Sequence, residues 1–329
     1  TPLCPIASRL QMDNLTHGLT GALMGQMGLK KKSGLGLAAL VLGANLPDID
    51  VVGLLWLDGT EALGFRRGIT HGPIGVALLP IGLAVLLWGF DRWQDSRGKR
   101  PAGRDPVSFL WLYILGLIGA ISHSLMDWLN VYGVRFLYPF DTSWYYGDTL
   151  FIIDVWLWAL LAASVWWSLR AEKRGGAWER RGLFGMLAAL LFVAGNYAIT
   201  FFDYNTGGRY AVPYPDRYIS APVPFAFWTR ERIAQLPSDR WISSGWDGNP
   251  FGFGYRNSGS IQCELPDMSE MRKTNSQLDA FLTWSRAPFA DGQLDGSIIL
   301  RDARFYDPLA RDRFSLALPD VKCVELAAD

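Results

Sequence analysis

The sequence predicts a mostly α, polytopic helical membrane domain followed by a smaller β-rich domain. Three observations carry that expectation. Half of the 329 residues are hydrophobic (50%) and only 19% are charged, and the mean hydropathy of +0.12 is high for a soluble globular chain. Apolar residues gather into runs in the first two thirds, whereas after Phe202 Gly, Pro and aromatic residues alternate with short strand-like runs. Three connections between the apolar runs are rich in Lys and Arg, which is the bias of cytoplasmic loops. The formal net charge of +0 offers no basic surface, so nucleic acid is not expected as a partner.

Taken in order, residues 1–11 contain no continuous apolar stretch of the signal-peptide kind and read as upstream of Met12. The membrane domain is expected over 12–203, with candidate segments at 15–29, 35–57, 73–90, 107–129, 150–169 and 183–202. Several reach the roughly 20 residues a bilayer-crossing helix needs. The first is short, and Lys30, Lys31 and Lys32 join it to the second, so the pair is expected to form either a tight hairpin or two spans. Arg92, Arg97, Lys99, Arg100 and Arg104 mark the second basic connection, and Arg170, Lys173, Arg174, Arg180 and Arg181 the third.

Placing all three basic connections in the cytoplasm puts the start of the first segment outside. Asp48 and Asp50, the loop holding Arg67 and His71, the end of the fourth segment with His123 and Asp127, and Asp154 then all fall on the external side. Residues 204–329 follow the sixth segment out and form an extracytoplasmic β-rich domain. Within it 297–305 reads as a half-buried strand, and 218–227 and 314–318 as further strand-like runs. Cys263 and Cys323 fall in this domain; an oxidising location allows a disulfide, and two buried free thiols are the alternative.

The second segment is interrupted by Ala44-Asn45-Leu46-Pro47-Asp48-Ile49-Asp50. Ionisable residues at such depth cost a few kcal/mol even on lenient insertion scales, which makes them functional-site candidates. Pro47 removes a backbone donor and opens the helix. In extended or turn-like backbone, carboxylates two residues apart can point to one side and share a divalent cation. A polar loop between helices is the plainer reading of this stretch alone.

The three histidines, His17, His71 and His123, each sit at a polar or glycine break near a segment end. His123 and Asp127 are four apart, so on a helix they project from one face and can share an ion. Imidazole and carboxylate together suit zinc, manganese or iron rather than an all-oxygen magnesium or calcium shell. Three His and Asp48, Asp50 and Asp127 suffice for one complete site or a two-metal site that clamps a phosphoester. Arg67 reads as a lipid-headgroup anchor or as a stabiliser of substrate phosphate. Asp13 and Asp154 read as helix-start residues, and Trp156, Trp158, Trp166 and Trp167 as interfacial or packing residues.

Met12-Asp13-Asn14-Leu15-Thr16-His17, Asn45-Leu46-Pro47-Asp48-Ile49-Asp50, Arg67-Gly68-Ile69-Thr70-His71 and His123-Ser124-Leu125-Met126-Asp127 occur in that order. They are followed by Tyr132-Gly133, Pro139-Phe140 and Ile152-Ile153-Asp154. This ordered set resembles the YdjM-like family of bacterial inner-membrane metal-dependent hydrolases, over about Met12 to Trp167. The resemblance implies an inner-membrane location and Met12 as the start. Through the family's distant relation to zinc-dependent phospholipase C enzymes, it also implies His17, Asp48, Asp50, His71, His123 and Asp127 as metal-site residues. Arg66 and Gly72 stand where many relatives have His and Ser, so whatever those side chains supply is missing here.

The expected function is a membrane-bound hydrolase. Metal-activated water attacks an ester or phosphoester of a lipid or lipid-linked substrate, Asp48 or Asp50 serves as general base, and Arg67 holds phosphate. The alternative is a non-enzymatic membrane protein with a structural metal or ion-pair cluster and a partner-binding β domain.

Overall fold

The computed structural model describes residues 13–211, 217–236, 240–243, 261–306 and 311–324. These residues form a mostly helical chain with a β-sheet region at its C-terminal end. They divide into two compact units. One comprises the chain up to Val51, Arg67–Gly147 and Ile152–Gly195; the other comprises Val52–Arg66, Asp148–Phe151 and the chain from Asn196 onward.

In the first unit, α1 (Asn14–Gln26) starts at Asp13, whose carboxylate accepts the Thr16 N–H at 3.1 Å. A short 3-10 turn (Leu29–Lys32) leads to α2 (Gly36–Gly43). The chain then bends by 50° into a 3-10 helix, Leu46–Leu55. Asp48 and Asp50 therefore lie on a tight helical turn, not on extended backbone, and as i and i+2 they project to different sides. Pro47 sits in the first turn of that 3-10 helix, where its missing N–H costs no hydrogen bond.

Helix α4 (Pro73–Ser96) opens with Pro at its first position, α5 (Phe109–Trp128) is capped by the Ser108 hydroxyl, and α6 (Val155–Glu172) by Asp154. Helix α7 runs from Trp178 to Ala211. Among the described residues three helices are long and apolar enough to cross a membrane, Pro73–Ser96, Phe109–Trp128 and Trp178–Thr206, and the bent pair at 36–55 makes a fourth if it counts as one span. Six segments were expected. At 13 residues α1 is too short, and α6 carries Arg170 and Glu172 inside its 18 residues.

The core of this unit is Ala39, Leu40, Ala84, Leu112 and Leu115. Helices α2 and α5 cross with backbones almost touching. A Cβ on Gly119 would stand 2.6 Å from the Ala44 nitrogen, and one on Gly43 would meet the Gly116 carbonyl oxygen at 2.5 Å. Small residues of this kind are how helices approach closely in membranes. One end of the unit collects the basic connections. Lys30 pairs with Glu172 and Lys31 with Glu179, each at 2.6 Å, and the Ser33 hydroxyl accepts the Ser108 N–H at 3.2 Å. Since α1 runs away from His17 toward Lys30, and α5 from Ser108 toward Asp127, the histidines and Asp127 gather at the other end.

In the second unit, α3 (Glu61–Phe65) lies within the Val52–Arg66 segment. An antiparallel sheet β1-β2-β3 joins Arg217–Pro222, Arg230–Gln235 and Trp241–Ser243, with Ile219 opposite Ile233. A second antiparallel sheet, β4-β5-β6-β7, joins Ile261–Cys263, Pro288–Gly292, Ser297–Asp302 and Ser315–Lys322. The strand expected at 297–305 ends at Asp302 and continues as a 3-10 turn, Ala303–Phe305. Cys263 and Cys323 form a disulfide.

Two helices the sequence reading did not anticipate, α8 (Ser269–Thr274) and α9 (Ser276–Trp284), precede β5. Asn275 caps α9 by accepting the Leu278 N–H at 3.0 Å, and Leu278, Phe281 and Trp284 are fully buried. Trp284 stacks on Phe305 and Phe314, with ring centres 5.5 and 5.2 Å away. Asp302 ties this core together, bonded to Arg304, the Ser285 hydroxyl and the Arg286 N–H.

Candidate metal centre

Four side chains converge at the end of the first unit remote from the lysines: Asp48, His71, His123 and Asp127, all buried, with ligand atoms within 4.8 Å of one another. The four arrive on three local devices. His123 and Asp127 occupy successive turns of α5, His71 lies in the turn just ahead of Pro73 at the start of α4, and Asp48 comes from the 3-10 helix.

The protonation pattern follows from the partners. His123 Nδ1 lies 2.7 Å from the Ala44 carbonyl oxygen, which can only accept, so Nδ1 carries hydrogen and Nε2 is the ring nitrogen turned inward. His71 Nδ1 lies 2.9 Å from Thr70 Oγ1, and Thr70 Oγ1 lies 3.5 Å from Asp50 Oδ2. A Thr70 hydroxyl that donates to Asp50 accepts from His71 Nδ1–H, which turns His71 Nε2 toward the centre. Metal-ligating histidines are oriented by such outer partners.

The two Nε2 atoms face one another at 3.1 Å. Asp127 Oδ2 stands 3.1 Å from His71 Nε2 and 3.4 Å from His123 Nε2 and, buried, has no hydrogen-bond partner. Two ring nitrogens and a buried carboxylate oxygen aimed at one spot are relieved by a cation between them. Ligand atoms bound at about 2.0–2.1 Å around a tetrahedral ion stand about 3.3 Å apart, so the triangle has the right size. Asp48 Oδ1, 4.0 and 3.9 Å from the two nitrogens, is the fourth corner, slightly set back. The residues fit a divalent metal.

The remaining expected residues surround this group. Asp50 sits on the outer side of His71: its Oδ2 accepts the Arg67 N–H at 2.8 Å and lies 3.7 Å from His71 Nδ1. Arg67, in the left-handed backbone region at φ 53°, turns its guanidinium inward. Nη2 meets Asp127 Oδ1 at 2.9 Å, Nη1 donates to Asn130 Oδ1 and the Gly133 carbonyl at 3.0 Å each, and Cζ lies 4.5 Å above the Tyr132 ring. His17 stacks on His123 with ring centres 3.8 Å apart, and its Nε2 is 3.5 Å from Asp127 Oδ1. It thus lies beside the converging four, not among them. Asp13, beyond the end of α1, bonds Thr16 and the Trp158 indole, and burial pushes its carboxyl up to about 6.

Gly72 has a steric reason. A Cβ there would run into the Tyr138 carbonyl oxygen, so this backbone excludes the serine of many relatives. Thr70, the Ala44 carbonyl and Asn130 were not singled out from sequence. Only Thr70, adjacent to His71, carried a signal; the other two act through a main-chain atom and through Arg67.

The YdjM inner membrane protein family matches residues 12–205. The chain belongs to the YdjM family. The match covers every side chain of the buried group and ends before β1. Neither a curated protein nor a solved structure matches the chain.

Proposed function

We propose that this YdjM protein is a membrane-bound, metal-dependent hydrolase that cleaves an ester or phosphoester of a lipid or lipid-linked substrate at the outer face of the inner membrane. One observation carries the reading: the triangle of His71 Nε2, His123 Nε2 and the orphaned Asp127 Oδ2, with edges of 3.1, 3.1 and 3.4 Å. Zinc is the metal best suited to two imidazoles and carboxylates, with manganese and iron next. A divalent ion held there supplies Lewis acidity and a water whose pKa falls toward about 7.

The protein's own residues divide the remaining work. Arg67 and His17 hold Asp127 Oδ1 so that Oδ2 faces the centre. Asp50 and Thr70 keep His71 in the ligating tautomer. Asp48, set back from both imidazoles, is placed to complete the shell or to take the proton of an attacking water. Arg67 supports substrate through Asp127 instead of reaching for phosphate itself. The outward orientation is supported by the basic connections gathering at the end opposite the site, and by a disulfide in the C-terminal region, which suits an oxidising compartment.

The test is metal analysis of the purified full chain, followed by assay against phospholipid and lipid-linked phosphoester substrates. Stoichiometric metal, and turnover lost in His123→Ala while the protein stays folded, support the proposal. A metal-free preparation that takes up none on reconstitution overturns it. A second reading, a structural metal or ion-pair cluster, is favoured by burial, since His71, His123 and Asp127 are at most 2% exposed. Loss of folding in His123→Ala with no hydrolysis by the parent would select it.

A further inference from the structure

The two strands of chain that carry Asp48 and Asp50 on one side and Arg67 and His71 on the other are joined by Val52–Arg66, which belongs to the C-terminal unit. Three contacts fix this connecting strap to α9. A Cβ on Gly64 would lie 2.9 Å from both Ala280 Cα and Cβ, so α3 and α9 touch at that point without an intervening side chain. Ser276 Oγ donates to Glu61 Oε1 at 2.6 Å, and Gln277 Nε2 donates to Asp58 Oδ2. Ser276, Gln277 and Ala280 stand on the same two-turn helix as Leu278, Phe281 and Trp284, which are fully buried, with Trp284 stacked in the aromatic core of the second sheet.

The strap is also closed on itself. Leu57 N–H donates to the Gly53 carbonyl at 2.9 Å, and Asp58 Oδ1 accepts the Thr60 and Glu61 N–H groups. A short, internally bonded segment fixed at its middle transmits position to both of its ends. At those ends the Arg67 N–H bonds Asp50 Oδ2 at 2.8 Å, a link that closes the carboxylate turn onto the histidine turn.

We infer that Gly64, Ser276, Gln277 and Ala280 are positioning residues for the metal centre: the C-terminal domain, through α9, holds the strap that sets Asp48 and Asp50 against His71. This rests on the metal-site reading, and it adds a role for a domain that supplies none of the four converging side chains. Without the strap's anchorage, the Asp50–Arg67 link opens and His71 loses its outer carboxylate. Loss of a partner that orients a metal-ligating histidine weakens metal binding by about 10–100-fold.

The test uses the full chain in detergent or nanodiscs, as Ser276→Ala with Gln277→Ala and, separately, Gly64→Leu. The double alanine variant removes only two half-exposed hydrogen bonds, so it keeps the test alive if Gly64→Leu does not fold. The first readout is amide hydrogen exchange. Exchange at Arg67 and His71 should rise about tenfold or more, while the amides of α4 and α5 and the melting temperature stay as in the parent. The second readout is zinc affinity by chelator competition, expected to fall about tenfold or more. Faster exchange in the strap with unchanged Arg67 and His71 amides overturns the inference. A parent that binds no zinc sinks the metal reading alone, because the exchange readout still decides whether the strap sets the turn.

Discussion

Two buried carboxylates in this protein invite comparison. Asp302, in the C-terminal unit, is 1% exposed, and both of its oxygens are engaged, by Arg304, Ser285 and the Arg286 N–H. Asp127, in the helical unit, is 2% exposed. One of its oxygens faces Arg67, and the other lies between two imidazole Nε2 atoms without a hydrogen-bond partner. Both desolvate a charge and both face an arginine, but only the first has both oxygens hydrogen-bonded from within the chain. A buried polar cluster that closes on itself is architecture, whereas one that converges and stays open calls for a ligand.

The largest expected difference between the two comes from Asp127→Asn and His123→Ala. Each should lower zinc affinity by about 100-fold or more, beyond what loss of a ligand-orienting partner costs, as read by chelator competition, and leave the C-terminal core intact. Asp302→Ala should do the reverse. It strands the Arg304 guanidinium and costs about 3–5 kcal/mol in denaturant unfolding of the C-terminal region, with metal content unchanged. Equal metal loss in that variant would collapse the comparison. Removing the disulfide by Cys263→Ser should cost the same region about 2–4 kcal/mol, again without touching metal affinity.

A smaller effect is expected with pH. Burial works to raise the Asp302 carboxyl, but the Arg304 guanidinium and the hydrogen bonds from Arg304 and Ser285 hold it below the ordinary value. Its stabilisation is therefore complete above the unfolded-chain pKa of about 3.9 and is lost as pH falls through the lower folded value. Acid unfolding of the C-terminal region should begin below about pH 4, and Asp302→Asn should flatten that limb. The mildest change, Thr70→Val, removes only the hydroxyl that fixes the His71 tautomer. It should weaken zinc binding about tenfold, and no change would argue that Asp50 alone orients the ring.

Much of this was legible in the sequence because membranes penalise polar groups. In a run as apolar as residues 35–57, Asp48 and Asp50 stand out, and the spacing of His123 and Asp127 directs both side chains to one face of a helix. What was not legible depends on atoms without a residue signature. The partner of His123 is the main-chain carbonyl of Ala44, 79 residues away, and Arg67 faces Asp127 where the sequence suggested phosphate. Hydrophobic length overcounted spans, since 150–169 is apolar but the helix itself starts at Val155 and extends into Arg170 and Glu172. Helix α9 hid among strand-like runs, although Asn275 and the spacing of Leu278, Phe281 and Trp284 are a cap and an apolar stripe.

Gly119 lies one turn ahead of His123, against the backbone at Ala44. The missing side chain lets the Ala44 carbonyl come to 2.7 Å from His123 Nδ1. The choice of which imidazole nitrogen carries the proton is thus gauged by the thickness of a helix contact two strands of chain share. A single methyl at position 119 would act as a shim, widening that contact and releasing the ring from its assigned tautomer, with no change to any ligand.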